Sequence, residues 1–342
     1  MVERRRVLIL HTGGTIGMVQ GEEGWAPDRG QLERGMAAIP AFAAPEVPEY
    51  AITELDPLLD SSEMGPRDWV RIAREIRDAY DEFDGFVVVH GTDTMAYTAS
   101  ALAFMFEGLE KTVILTGSQI PLCRPRNDAQ ENLIGSLQLA ADFRIPEVAL
   151  YFDARLFRGC RTVKVNCDRF DAFDSPNLPP LAVAGPRFQI NRPLIRWPDR
   201  VRRQRLVLHE ELDPDVGVLW LFPGITGAVM RNFLEPPLKG AVLRAFGVGN
   251  GPAGNPEFID ALQTAADRGV VIVDCTQCLT GSVHLEDYAS GSALSRAGVV
   301  SGHDMTVEAA LTKLMHLFGR GHSPAEVREL IHEDLRGELT DG

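Results

Sequence analysis

Phe86-Val87-Val88-Val89-His90-Gly91-Thr92-Asp93-Thr94 is the stretch on which the fold turns. It opens with a β-rich apolar run that has no polar alternation. A strand with one wet face alternates, whereas a strand buried on both faces does not. The run then breaks into a small, polar, glycine-bearing turn. The same grammar recurs on either side. Residues 7–10 run into His11-Thr12-Gly13-Gly14-Thr15-Ile16-Gly17, and 112–115 into Thr116-Gly117-Ser118-Gln119. Between these runs lie helical patterns. Trp69, Ile72, Ile76, Tyr80 and Phe83 recur at helical spacing within 67–83. Residues 95–106 read as a buried helix, 127–141 as another, and 148–152 as a further strand. Continuous apolar strands separated by helices predict an α/β fold with a parallel sheet covered on both faces.

The pattern breaks between about 175 and 214, a proline-rich region that also holds Arg196, Arg200, Arg202, Arg203 and Arg205. It reads as an irregular linker with room for an edge strand. Alternation then resumes, with strands at 216–222, 241–246 and 270–274 and helices at 256–267, 306–318 and 324–335. Ser323-Pro324-Ala325-Glu326 is a strong helix start, combining a serine cap, proline at the first position and a glutamate that closes a capping box. The expected organisation is a larger α/β domain over 1–190, a linker over 191–212 and a smaller α/β domain over 213–342. The chain's 342 residues suit two domains.

Composition narrows the function classes. A formal net charge of −14 repels phosphate backbones, so no nucleic-acid partner is expected. No stretch approaches the roughly 20 apolar residues of a membrane span, so no membrane association is expected. The apolar run 7–10 is too short for a signal-peptide core, and a cytoplasmic protein is expected. Cys123, Cys160, Cys167, Cys275 and Cys278 are odd in number and widely spaced, unlike a disulfide framework. Cys275-Thr-Gln-Cys278 lacks a second pair or a histidine cluster, so it reads as thiols following a strand rather than a metal or redox site. No metal and no cofactor are implied.

In open parallel sheets, ligands bind beyond the carboxyl ends of the strands. Three turns bearing hydroxyls and glycines at one edge would make a pocket lined by hydroxyls and backbone N–H groups. The first turn is neither GxGxxG nor GxxxxGK[ST], so it is not a nucleotide loop. Taken alone, it is as readily a structural turn as a site. A threonine hydroxyl needs activation by a base or a preset hydrogen bond before it can attack. Thr92 and Asp93 could be drawn toward an amine, and Asp93 could hold the α-amino group of an amino-acid substrate. The chain has only four lysines, Lys111, Lys164, Lys239 and Lys313. Lys164 falls in an otherwise arginine-preferring run, Arg158-Gly159-Cys160-Arg161-Thr162-Val163-Lys164. Arginine cannot give up its proton but a desolvated lysine can, which makes Lys164 the candidate for acid–base chemistry.

At these residues the chain resembles the type I (cytosolic-type) bacterial L-asparaginases. The resemblance rests on the threonine turn 12–18, Asp60-Ser61-Ser62-Glu63-Met64, residues 90–97 and Thr116-Gly117-Ser118-Gln119-Ile120-Pro121. It continues through Ser175-Pro176-Asn177-Leu178-Pro179-Pro180, Gly247-Val248-Gly249-Asn250, and segments 304–310 and 335–340. It implies an asparaginase-like two-domain α/β architecture and hydrolysis of a small-molecule side-chain amide. It implies Thr15 as nucleophile, with Thr92, Asp93 and Lys164 assisting proton transfer and water activation. It further implies substrate contacts from Asp60, Ser61, Ser62, Gly91, Thr92, Asp93, Ser118 and Asn250, the last acting across a subunit boundary, in a homodimer or homotetramer. Many family members carry a tyrosine in the loop after the first strand. Here that position is Trp25, which cannot relay a proton. Tyr288 is then the expected replacement, because mammalian-type relatives place a tyrosine in this segment. Some members are activated by asparagine at a second site. The segments around Arg244 and Thr276-Gln277-Cys278 match that region, but Val163 stands where a threonine is common.

Two other readings compete. One is a glutamine-directed amidohydrolase, including the related transamidosome subunit. That subunit usually carries an extra N-terminal segment, whereas this chain is expected to start directly at its first strand. The other is a non-catalytic amino-acid sensor. A sensor needs no nucleophile, and the joint presence of Thr15, Thr92, Asp93 and Lys164 weighs against it.

Overall fold

The computed structural model describes residues 5–21, 24–197 and 205–340. Arg200, Arg202 and Arg203 of the expected linker lie outside them. The chain divides into two compact units at His209/Glu210.

The first unit is built on an eight-stranded sheet. Its order is Gln189–Ile190, Ala182–Val183, Arg155–Arg158, Val148–Phe152, Thr112–Thr116, Gly85–Val89, Arg6–Gly13 and Glu49–Leu59. The five strands from Val148–Phe152 to Glu49–Leu59 are mutually parallel. Phe86–Val89 are buried throughout, as the unbroken apolar run requires. Pro66–Asp78 turns Trp69, Ile72, Ala73 and Ile76 inward, and Met95–Met105 is buried almost all round by small and apolar residues. Across the parallel strands, the first strand in the chain lies between the second and the third. Strand order therefore reverses beside Arg6–Gly13, the topological switch point where such sheets bind ligands.

The expected parallel sheet is extended by antiparallel edge strands, so the sheet as a whole is mixed. Arg155–Arg158 runs antiparallel to Val148–Phe152, and Ala182–Val183 and Gln189–Ile190 continue antiparallel beyond it. The reason is local. Only Asp153 and Ala154 separate the two strands, and both have positive φ, 47° and 61°. A two-residue turn of this kind closes a hairpin, whereas a parallel return needs a dozen or more residues. The proline-rich region thus contributes edge strands. Glu49–Leu59, the opposite edge, and the hairpin Met18–Gly21/Gly24–Pro27 had no clear sequence signal.

The second unit holds a four-stranded parallel sheet in sequence order: Val216–Trp220, Gly240–Ala245, Val271–Thr276 and Val299–Ser301. Its two faces carry separate cores. Leu243 and Ile272 join Phe258 and Leu262 of Pro256–Asp267, while Val242 and Val273 join Leu314 and Leu317 of Val307–Gly319. The last helix starts as expected, with the Ser323–Glu326 capping box, but covers Pro324–Leu330 rather than running to 335. Beyond it, the carbonyls of Ile331 and Glu333 accept from the buried Lys313 ammonium instead of continuing the helix.

Candidate active site

Two glycines bring the first turn against its neighbours. Gly13 and Gly14 have φ of 126° and 86°, a region that suits glycine. A Cβ on Gly13 would lie 2.0 Å from the Leu59 carbonyl oxygen, and one on Gly14 would lie 2.4 Å from the Gly91 nitrogen. A Cβ on Gly91 would in turn meet Ser61 Oγ at 2.5 Å. The turns after the first three parallel strands of this sheet, Arg6–Gly13, Glu49–Leu59 and Gly85–Val89, therefore converge. Two hydroxyls tie them: Thr12 Oγ1 donates to the Val89 carbonyl at 2.9 Å, and Thr94 Oγ1 to the Ser61 carbonyl at 2.7 Å. Thr15, half-buried, opens the single helical turn Thr15–Gly17 that follows.

Lys164 reaches this cluster from 72 residues away in sequence. It sits on the short strand Val163–Lys164, held by pairing with Phe173–Asp174. Its Nζ donates to Thr92 Oγ1 at 2.8 Å and to Asp93 Oδ1 at 2.7 Å. Thr92 is buried, whereas the Asp93 side chain is 65% exposed and that of Lys164 20%. A half-sheltered amine between a hydroxyl and an open carboxylate can exchange a proton with the hydroxyl, and the carboxylate can also meet a cationic group arriving from solvent.

The third turn is braced from below. Gly117 packs on the His90 carbonyl, where a Cβ would come within 2.3 Å. The Asp128 carboxylate accepts from the backbone N–H of Gln119 at 2.9 Å and of Ile120 at 3.1 Å, and Asn132 Nδ2 donates to the Gly117 carbonyl at 3.0 Å. Burial pushes the Asp128 carboxyl up, while these backbone donors pull it down less strongly. Gln119 Oε1 lies 3.4 Å from Thr92 Oγ1. The Ser118 hydroxyl donates to the Ile120 carbonyl at 2.7 Å. Asp60 Oδ1 accepts from both the Ser62 N–H and the Ser62 hydroxyl at 2.9 Å, closing its own small turn.

Two histidines support the strand ends. His90 Nδ1 faces the Gly91 carbonyl at 2.7 Å, and its Nε2 faces Thr98 Oγ1 at 2.8 Å. A carbonyl only accepts, so Nδ1 carries the proton and Thr98 donates to Nε2. Burial lowers His90 to about 4, so the ring is neutral near pH 7 and acts as a brace for Gly91. His11 Nδ1 lies 3.1 Å from Glu54, and burial lowers its pKa too, against the raising effect of Glu54.

The first unit thus carries Thr15, Asp60, Ser61, Ser62, Gly91, Thr92, Asp93 and Ser118 in the turns after its parallel strands, and Lys164 on the strand Val163–Lys164. Asn250 and Tyr288 belong to the second unit, where their segments meet: Asn250 Oδ1 accepts from Ser290 Oγ at 2.6 Å. Tyr288 precedes the helix Ala289–Arg296 and is 59% exposed. Trp25 stands opposite Gln20 on the hairpin, 40% exposed, with the Arg124 guanidinium 5.8 Å from its ring. Arg244 lies 4.1 Å from the Trp220 ring and donates to the Thr276 and Gln277 carbonyls, and Val163 pairs with Asp174. Cys275 is buried and Cys278 exposed. Among the described residues, no group of three or more His, Cys, Asp or Glu is placed to hold a metal ion. Sequence reasoning missed Gln119, Asp128 and Asn132 as supports. Their only signal was their place in and after a glycine turn.

Comparison with known proteins places the chain in a family. The family model for the N-terminal domain of asparaginases matches residues 6–196, and that for the glutaminase/asparaginase C-terminal domain matches 215–331. The chain is 49% identical to L-asparaginase 1 of Escherichia coli over 340 residues, 99% of each chain. It is 47% identical to the human 60 kDa lysophospholipase, covering 98% of this chain and 62% of that protein. Among solved structures, L-asparaginase I from Vibrio cholerae superposes with a TM-score of 0.91 at 46% identity, covering 99% of this chain and 100% of that one. With both halves matched and near-half identity along its whole length, the chain belongs to the asparaginase family, among the type I bacterial L-asparaginases.

Proposed function

We propose that this protein hydrolyses L-asparagine to L-aspartate and ammonia through an acyl-enzyme on Thr15. The observation that carries the reading is the Lys164 amine bonded to both Thr92 and Asp93 on the turn packed against the Thr15 turn. In this reading the Thr15 hydroxyl adds to the side-chain carbonyl and passes its proton toward the leaving amine. Backbone N–H groups of the two glycine turns stabilise the oxyanion. Ammonia departs, leaving a β-aspartyl ester. Water, deprotonated through Thr92 toward Lys164, then adds to the ester and releases aspartate and Thr15. Asp93 holds the α-amine, and Ser61, Ser62, Asp60, Gly91 and Ser118 line the substrate end. The 65% exposure of Asp93 supports its substrate role.

In the same reading Asn250 acts on substrate across a subunit boundary, and the Tyr288 hydroxyl takes the role that Trp25 cannot fill. Their linked segments on the second unit support treating them as one element. A homodimer or homotetramer is part of the proposal. It is supported by the exposed row of Val218 and Trp220 on the edge strand of the second sheet and Phe222 just past its end. A domain division into 1–190 and 213–342, joined by 191–212, and a cytoplasmic location complete the reading. Among the described residues, no helix is long and apolar enough to cross a membrane.

The test is ammonia release from asparagine and from glutamine, for wild type and Thr15→Ala. Wild type should release ammonia from asparagine, and the variant should lose that rate. A retained rate in Thr15→Ala would remove Thr15 from the chemistry. Preference over glutamine is read from the same assay, since one methylene is worth only about 1–3 kcal/mol of discrimination.

A further inference from the structure

Gln119 joins two parts of the first unit. Its Nε2 donates to the Arg169 carbonyl at 3.1 Å, and its Oε1 accepts from Thr92 Oγ1 at 3.4 Å. The first contact fixes the second. A carbonyl oxygen cannot receive Oε1 as a donor, so the amide is held with its nitrogen toward Arg169 and its oxygen toward Thr92. Asp128 fixes the same residue from behind by accepting the Gln119 N–H. Lys164, as an ammonium, only donates. Thr92 therefore takes a proton from Lys164 on one side and offers its own to Gln119 on the other. The hydroxyl has a defined direction, and Gln119 is the group that sets it.

We infer that Gln119 is a positioning residue for the reaction, holding the Thr92 proton away from Lys164 and thereby aiming a Thr92 lone pair at the amine. The inference rests on the reading of Thr92 and Lys164 as the water-activating pair. At 3.4 Å the bond is long, as such bonds commonly are in resting sites before they tighten around substrate. Water activation requires the amine first to release its proton to solvent and the wire then to reverse: Thr92 takes the water's proton as its own passes to the neutral Lys164. Gln119, itself held by the Arg169 carbonyl, anchors the Thr92 hydroxyl beside the amine, so its loss misplaces the group that relays the proton. The charged groups facing this wire are Asp93 on Lys164 and Asp128 on the backbone of Gln119.

The test uses full-length Gln119→Met and Gln119→Glu, with kcat and KM measured across pH. Methionine keeps the length but accepts no proton from Thr92. Its kcat should fall about tenfold to a hundredfold with KM little changed. Its acidic limb should move to lower pH, because the freed Thr92 hydroxyl can turn its proton toward a neutral amine. Glutamate keeps an acceptor and adds negative charge, so its acidic limb should move to higher pH. Opposite shifts are not produced by loosening of the turn alone. If both variants keep the wild-type limb, the inference is wrong whatever their kcat. Lys164→Met separates the two levels. Full turnover in that variant removes the parent reading, whereas an inactive Lys164→Met with unmoved limbs in both Gln119 variants removes only the role of Gln119.

Discussion

Lys164 Nζ lies 2.8 Å from the Thr92 hydroxyl and 2.7 Å from the Asp93 carboxylate, so one amine bridges two adjacent residues of a glycine turn. Charge alone would be met by either basic residue. A proton-accepting role is met only by lysine, because the arginine guanidinium does not deprotonate in proteins. Lys164→Arg and Lys164→Met should both lower kcat for ammonia release by at least about a hundredfold, the usual scale for losing an acid–base group. If Lys164→Arg keeps more than a tenth of wild-type kcat, the amine acts through its charge alone.

Gly14 is where the Thr15 turn meets the Gly91 turn, at φ 86° and with no room for a Cβ beside the Gly91 backbone. Both objections fall on backbone, which cannot step aside as a side chain can. Gly14→Ala should cost about 1–3 kcal/mol in conformational strain alone, lowering the urea midpoint. It should also lower kcat by separating Thr15 from Thr92. A variant with wild-type midpoint and rate would mean that the two turns do not depend on this approach.

Much of this site was legible before any coordinates. Unbroken apolar runs fixed where strands end, and glycine with threonine after each end fixed where a pocket opens. Lys164 stood out because arginine outnumbers lysine around it. Other features were not legible, for identifiable physical reasons. The hairpin at Asp153–Ala154 lacks glycine or asparagine, so its positive φ values carry no composition signal for the antiparallel turn there. Glu49–Leu59 is an edge strand of mixed polarity, with no clean alternation to betray it. Asp128 and Asn132 act through backbone groups of another turn, and no spacing rule links them. Gln119 was visible within its motif, but its hold on Thr92 depends on how Arg169 folds back.

Lys313 and Glu338 form a fully buried ion pair at 2.6 Å. Burial pushes the Glu338 carboxyl up, but Lys313 and the backbone N–H groups of Arg336 and Leu335 outweigh it, and the net shift is downward. The pair anchors the C-terminal segment to the helix Val307–Gly319. Removing one partner leaves a buried charge behind, so Lys313→Met should destabilise the protein by about 3–5 kcal/mol. Lys313→Met with Glu338→Gln removes the stranded charge and should recover a substantial part. Chemical denaturation of the two variants checks this. Equal losses in the single and double variants would show that packing, not charge, dominates.

Asp274 lies within the strand Val271–Thr276 with a side chain buried beside Gly249, and neither carboxyl oxygen has a hydrogen-bond partner among the described residues. Burial pushes its pKa up to about 8. The carboxyl is therefore mostly neutral in the folded protein at pH 7, while in the unfolded chain it ionises near its ordinary value of about 3.9. Below that value both states are neutral, and this residue gives no pH dependence. Between it and about 8 the folded state binds more protons, so this residue's contribution to stability falls as pH rises, and the fall ends once the folded carboxyl ionises too. Asparagine has the same shape and never ionises. Asp274→Asn should therefore match wild type in stability near pH 4 and exceed it at pH 8, with the gap widening steadily between. Urea midpoints of both proteins across that range measure it. A gap that stays constant with pH would mean the carboxyl is ionised in the folded state and has found a partner there.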